Sequence, residues 1–402
     1  MKFHTFYFLS LILFLPGATF TACNNSQEEK GVLGIDVNKQ ITKSLDDYIS
    51  HIEIIPLETT DEALLQDYWK VIEYDDKIFV QDRSSGLYVF DNNGNYTRKI
   101  SNHGNGPGEY IYIADFQINP FTENIEILEP LGRIKVYNID GEYLYNYGRR
   151  YQEVSYFYII DEDLVLFSHN SFSPALNLYS RKADSVLKSF FELDMDFIFR
   201  PLRTDAHYYV FNNELYIHYG YTNEIYRFEN NDIIPVLNLD FGEHNFRIDD
   251  YPWEYAESDM DVMSDFVDRK YVYAFRQDFE TGRYLFKQFC YRYDILLLIY
   301  DKLEKEYEIL YELEDCIRYI LKDVRQYADY LSNILPEAEV RGTRLPQLLN
   351  WDSGKEYALG CINSQTRARY INPKILDADN LKKYNSIGMN DNPALVKIYF
   401  KD

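Results

Sequence analysis

Residues 77–94 and 124–141 carry one pattern of short apolar runs and turn residues at a constant offset of 47. Ile78-Phe79-Val80 corresponds to Ile125-Glu126-Ile127, Leu87-Tyr88-Val89-Phe90 to Ile134-Lys135-Val136-Tyr137, and Gly94 to Gly141. Short strands repeating every 40 to 50 residues or so have the period of β-propeller blades, units that bury their apolar faces only by stacking on neighbours. The chain is therefore expected to be all-β, with six blades of four antiparallel strands closed into a ring.

The clearest blade spans 115–148, with strands at 116–118, 125–128, 134–137 and 143–147. Its hairpin turn, Asn138-Ile139-Asp140-Gly141, matches Asp91-Asn92-Asn93-Gly94 in the preceding blade, each ending on a glycine free to take positive φ. Weaker copies follow at 159–190, 208–239 and 271–310. The sixth must be assembled from 357–362, 394–400 and the early strand 52–55, so that the head of the chain completes the last sheet and no edge stays open.

Two segments break the rhythm. Between 316 and 335, apolar residues recur every three or four positions until Pro336, which predicts an inserted amphipathic helix. The acidic insertion 243–268 holds Tyr251, Trp253 and Tyr255 beside Asp259, Asp261 and Asp265. Insertions in repeat folds decorate one face, often the one that binds.

Met1-Lys2, an apolar run to Ala18 and Thr21-Ala22-Cys23 form the three parts of an export signal, and the run is too short to span a bilayer. Phe20-Thr21-Ala22-Cys23 resembles a bacterial lipobox, which makes residues 1–22 a signal peptide and Cys23 the lipidated N-terminus; an ordinary cleaved signal is the alternative. Residues 23–49 begin with the polar Asn24-Asn25-Ser26-Gln27-Glu28-Glu29-Lys30 and are expected to be a tether, leaving 50–402 as the propeller. The lipid would be the contact with the membrane.

With 65 acidic and 41 basic residues the net charge is -24, which repels phosphate backbones and disfavours nucleic acid. The cysteines beyond Cys23 are Cys290, Cys316 and Cys361, without a CxxC pair. Zinc-finger spacing is absent; one disulfide or buried free thiols remain, with free thiols favoured.

Residues 52–59 (IEIIPLET), the first blade, the loop Gly104-Asn105-Gly106-Pro107-Gly108-Glu109-Tyr110 and the closing Asn392-Pro393-Ala394-Leu395-Val396 resemble the six-bladed β-propeller lipoproteins of gut Bacteroidetes. That family looks in turn like NHL-repeat propellers, although blades three to five lack the GxGPGEY loop. The resemblance implies a fold and an outer-membrane address and carries no activity; the acidic pair Glu28-Glu29 resembles the short signals that send such lipoproteins to the cell surface, with a solvated linker as the alternative.

No motif calls for a cofactor. The glycine-rich loop from His103 to Tyr110 precedes no helix and lacks a lysine after its last glycine, so it fails both nucleotide fingerprints and reads as an interblade turn. Six histidines survive processing, at 51, 103, 169, 207, 218 and 244, but they do not recur at equivalent blade positions, so no metal site is predicted. Asp259-Met260-Asp261 opens like a calcium loop yet lacks the glycine and the closing glutamate.

Aromatics are abundant, with 39 Tyr, 26 Phe and 3 Trp, and most should pack between blades. Trp69, Trp253 and Trp351 lie outside the clear strands. Trp253, Tyr251 and Tyr255, joined by His103 and Glu109 of the glycine-rich loop, are the ligand-binding candidates. The expected function is a non-catalytic module binding a glycan, a peptide or an outer-membrane partner protein. The alternative is an envelope hydrolase or lyase with its site at the propeller channel.

Overall fold

The computed structural model describes residues 31–39, 43–66, 68–83, 86–100, 104, 106–148, 154–169, 174–192, 206–220, 222–247, 259–275, 278–292, 294–314, 345, 348–349 and 354–402. Its strands form six small sheets arranged as a six-bladed β-propeller. The first two strands, β1 (Gly31–Gly34) and β2 (Ile49–Pro56), belong to distant blades. Blade one is β3 (Tyr68–Tyr74), β4 (Lys77–Asp82), β5 (Gly86–Asp91) and β6 (Tyr96–Ile100). Blade two is β7 (Asp115–Ile118), β8 (Ile125–Leu128), β9 (Ile134–Tyr137) and β10 (Tyr143–Tyr147). Blade three is β11 (Val154–Ile159), β12 (Leu164–His169), β13 (Leu176–Ser180) and β14 (Ser185–Phe190).

Blade four is β15 (Ala206–Phe211), β16 (Glu214–Tyr219), β17 (Glu224–Glu229) and β18 (Asp232–Asp240). In blade five, β19 (Val272–Tyr273) and β20 (Asp278–Glu280) both pair with β21 (Tyr284–Tyr291), followed by β22 (Asp294–Asp301) and β23 (Glu306–Glu314). The expected first strand over 271–275 is thus short, and a second piece completes it. Blade six holds β24 (Tyr357–Ile362), β25 (Ala394–Phe400) and β2, in the order β2-β25-β24.

The ring closes as the sequence requires. Strand β2 runs antiparallel to β25, with Ile49 opposite Phe400, Ile52 opposite Ile398 and Pro56 opposite Ala394. The free side of β2 is covered by α2 (Ala378–Ser386), preceded in the chain by α1 (Asp259–Asp268). Asp377 caps α2 by accepting from the Asn380 amide at 2.8 Å, and Asn380 Oδ1 accepts from the Ile54 amide at 2.8 Å. A side chain thus takes up a strand-edge donor that would otherwise template a foreign strand.

Part of the 23–49 span expected as tether is structured. Gly31–Gly34 pairs in parallel with β18, a five-stranded edge that no blade repeat foretells. Ile35 and Val37 are then buried among Phe241, Phe289, Leu298 and Ile309, strapping blade four to blade five. The predicted helix at 316–335 lies outside the described residues.

The core is a set of layers between blades. Phe79 and Val89 of blade one pack with Phe116 and Ile127 of blade two, Val136 of blade two with Phe157 and Val165 of blade three, and Phe286 and Leu297 of blade five with Val396 and Ile398 of blade six. The repeated glycines show why the turns recur. Gly94, at φ +87, brings the outer turn of blade one so close to the end of β2 that a Cβ would stand 2.2 Å from the Pro56 carbonyl. Gly141, at φ +93, approaches Ile100 at the end of β6 in the same way.

Candidate functional site

Antiparallel strands alternate direction, so the connections alternate between the two faces of the ring. The turns from first to second strand are short, such as Asp75-Asp76 and Asn212-Asn213. The links between blades (57–67, 101–114, 241–271) and the long connection 363–393 within blade six leave and re-enter on the opposite face. On that loop face Ile111 and Tyr112 after β6, Leu131 between β8 and β9, Leu64 after β2 and Met389 before β25 stand exposed, while Phe121 and Leu303 stand exposed in turns of the opposite face and Leu144, Tyr145 and Leu187 on outer strands. Loops on a rigid scaffold are the usual carriers of binding.

Of the predicted ligand residues, Glu109 is the one within the described part; His103, Trp253, Tyr251 and Tyr255 lie outside it, as does Trp351. Glu109 works inside its own loop. Its Oε2 accepts from the Gly106 amide at 2.8 Å, its amide donates to the Gly106 carbonyl at 3.0 Å, and its carbonyl accepts from Lys135 Nζ. Gly104 donates to the Tyr110 carbonyl at 3.0 Å, and Tyr137 Oη donates to the Gly108 carbonyl at 3.0 Å. Gly108 sits at φ +75, where a Cβ would meet the Tyr143 ring at 2.5 Å. Amides committed in this way do not cradle an anion, and the loop is an interblade turn.

Trp69, expected outside the strands, lies within β3, half-buried, with the Arg83 guanidinium 3.5 Å from its ring centre. The described ends of the 243–268 insertion are pinned by Phe246 on Phe266, 4.7 Å between ring centres, both in the core. Asp259 to Asp261 open α1 and form no calcium loop. His51 stacks on Tyr399 at 4.1 Å, His169 is buried against Asn177, and His244 meets the edge of Tyr291. Among the described residues no three metal-ligating side chains converge.

Polar chemistry instead lies buried between blades, a feature missed from sequence. Lys70 of β3 pairs with Asp115 of β7 at 2.9 Å, both fully buried, and Asp115 also accepts from the Phe116 amide at 2.8 Å and from the Phe157 amide of blade three at 3.1 Å. Tyr208 of blade four donates to the Phe157 carbonyl at 2.6 Å. Glu126 and Arg181 join blades two and three at 3.0 Å, and Lys397 and Glu73 join blades six and one at 2.7 Å.

Blades four and five share a group of three. Lys287 forms an ion pair with Asp278, whose Oδ2 lies 3.8 Å from His218 Nδ1, while His218 Nε2 is 2.7 Å from the Thr222 carbonyl. Burial raises the Asp278 carboxyl above its ordinary range, with Lys287 opposing; burial likewise pulls Lys287 down, with Asp278 opposing. Perturbed groups cluster at active sites, but structural ion pairs perturb pKa as well. His218 and Lys287 are 0 % exposed and Asp278 4 %, and the three pair with one another at the seam between blades four and five.

The cysteines depart from expectation in one respect. Cys361 is a buried free thiol, whose pKa burial raises, whereas Cys290 of β21 is disulfide-bonded.

A family model described as a domain of unknown function, DUF4934, matches residues 32–399. The chain belongs to the DUF4934 family. The matched span begins in β1 and ends in β25, so the family unit is the whole ring with its N-terminal strap. No curated protein matches the sequence. Among solved structures, the DUF4934 chain is similar to a protein of Bacteroides fragilis NCTC 9343 described as exported, at 16 % identity and a TM-score of 0.66, covering 93 % of this chain and 99 % of that one. A member of the duf4221 family from Bacteroides vulgatus ATCC 8482 aligns at 10 % identity and a TM-score of 0.49, over 88 % and 97 % of the two chains.

Proposed function

We propose that this DUF4934 protein is an exported, lipid-anchored propeller of the outer membrane that binds a glycan, a peptide or a partner protein through its loop face, without catalysis. The observation that carries the reading is the segregation of the long connections to one face of a rigid ring, where Ile111, Tyr112, Leu64 and Met389 stand exposed. Three things support export: the signal-like N-terminus, the disulfide at Cys290, which suits an oxidising compartment, and the likeness to a Bacteroides protein described as exported. Among the described residues no helix is long and apolar enough to cross a membrane, so lipid on Cys23 is the anchor the proposal needs. Kinship to NHL-repeat propellers belongs to the same proposal.

The rival, a hydrolase or lyase, draws on His218, Asp278 and Lys287; their burial argues for a structural joint between blades. Trp253, Tyr251, Tyr255 and His103 stand as proposed contacts on the loop face. Two experiments test the reading. Cys23→Ala should move the protein from the membrane to the soluble fraction, and unchanged fractionation removes the anchor. Glycan arrays and crosslinking in envelope preparations should lose signal in Ile111→Glu and, for a sugar ligand, in Trp253→Ala. Retained signal in both variants removes the loop face as the binding surface.

A further inference from the structure

A cleft of about 170 Å³ opens on the loop face where the N-terminal strap crosses blade five, between Val37, Lys39, Tyr291, Arg292, Asp294 and Ile309. The strap is fixed there: Ile35 and Val37 are buried, the Asp36 amide donates to Tyr307 Oη at 2.7 Å, and Lys39 Nζ donates to the Tyr307 carbonyl while lying 4.4 Å from that ring's centre. Opposite it stands the β21–β22 turn. Other two-residue turns of the ring use Asp75-Asp76, Asn212-Asn213 and Asn230-Asn231, all at positive φ and of residue types that tolerate it. This one opens with Arg292 at φ +55, its carbonyl held by Tyr273 Oη at 2.7 Å. Glu123, Lys270 and Lys305 take the same left-handed conformation in other turns, so the φ sets the direction of Arg292 without singling it out.

Three properties of the cleft point the same way. Tyr291 is 5 % exposed, and among the described residues its buried hydroxyl has no hydrogen-bond partner, a state that costs free energy unless a ligand completes it. Arg292 has no side-chain hydrogen bond or ion pair among the described residues, its guanidinium lying 5.3 Å from the Tyr291 ring centre. Lys39 adds a second cation in a chain whose net charge is -24. Against these stands one carboxylate, Asp294, on the same wall.

We propose that this cleft binds the carboxylate of a small ligand, with Arg292 and Lys39 facing the anion and the Tyr291 hydroxyl completing it. Val37 and Ile309 supply apolar walls. A hexuronic acid and a peptide C-terminus both carry that chemistry. The inference rests on the loop-face reading and narrows it to an acidic ligand.

The test is titration calorimetry of the processed chain with glucuronate and N-acetylalanine, each beside its neutral counterpart, glucose and N-acetylalaninamide. At least one acid should bind, at least about tenfold tighter than its neutral partner, and Arg292→Gln should abolish the difference, as expected for a lost charge-assisted contact. Tyr291→Phe, which keeps the ring and the packing, should weaken the same acid severalfold at an unchanged melting temperature. Which acid binds identifies the source. Equal or absent binding of acid and neutral forms, or unchanged affinity in Tyr291→Phe, overturns the proposal. If Ile111→Glu still abolishes capture of the larger ligand, the cleft alone has failed and the loop face stands.

Discussion

Removing the Asp115 carboxylate should destabilise the ring more than removing the Lys70 amine that pairs with it. Both side chains are fully buried at 2.9 Å, and deleting one member of such a pair costs about 3–5 kcal/mol. In Lys70→Met, Asp115 keeps the Phe116 and Phe157 amides, which places the loss near the lower figure, ~3 kcal/mol. Asp115→Ala leaves the buried ammonium without that carboxylate and takes the acceptor from two buried amides, each worth about 1–3 kcal/mol when unsatisfied. These terms overlap, and a loss of at least ~4 kcal/mol is expected. For a chain of this length that is roughly 5 °C in melting temperature, from about 2 cal/mol/K of unfolding entropy per residue. Urea unfolding followed by tyrosine fluorescence and circular dichroism measures it. Lys70→Met with Asp115→Asn, which keeps an acceptor for the amides without a charge, should recover to within ~2 kcal/mol of the native protein. A loss under about 1 kcal/mol in Asp115→Ala, or a double variant no better than it, would refute the reasoning.

Gly94→Ala should cost more than about 2 kcal/mol, combining positive φ with a collision at the Pro56 carbonyl, whereas Gly242→Ala, at φ +62 with nothing within 4 Å, should cost about 1; equal losses in thermal melts would show that the close approach contributes nothing. Burial raises the phenol pKa of Tyr48, Tyr68, Tyr147 and Tyr209 above the ordinary value of 10.0. A folded pKa above the unfolded one contributes stability that is complete below pH 10 and lost as pH rises further, so unfolding free energy should fall from pH 10 upward and the 295 nm phenolate signal should rise with unfolding; phenolate appearing ahead of unfolding would contradict this. Reduction of the denatured protein should release two thiols beyond those reactive without reductant, since Cys290 is disulfide-bonded and Cys361 free; an equal count in both states would show no disulfide.

Strand positions in blades one and two were legible because glycine turns fix the register there: a run between Asn119-Pro120 and Gly141 has few ways to fold. Closure by 52–55 and 394–400 was legible because the last repeat is short of strands and a ring leaves no sheet edge open. Strand β1 was not, because Gly-Val-Leu-Gly has neither length nor alternation, and it becomes a strand only when β18 offers an edge. Helix α2 carries just Leu381 and Tyr384 as large apolar residues, too few for a stripe, although Asp377 is a readable cap. The interblade ion pairs were hidden for another reason. In a chain with 65 acidic residues any carboxylate looks like surface charge, and the pairing of Lys70 with Asp115 depends on which inner strand faces which.

The pairing of β2 with β25 has a consequence for how the molecule is made. Strand β2 leaves the ribosome or the translocon ahead of blade one and must wait for its partner until the other five blades have followed, and Ile54 meanwhile lacks the cover of Asn380 as well. Maturation of the ring therefore cannot finish domain-fashion from the N-terminus. A stop codon anywhere before residue 394 would strand the opening segment as an apolar edge for chaperones or proteases to find.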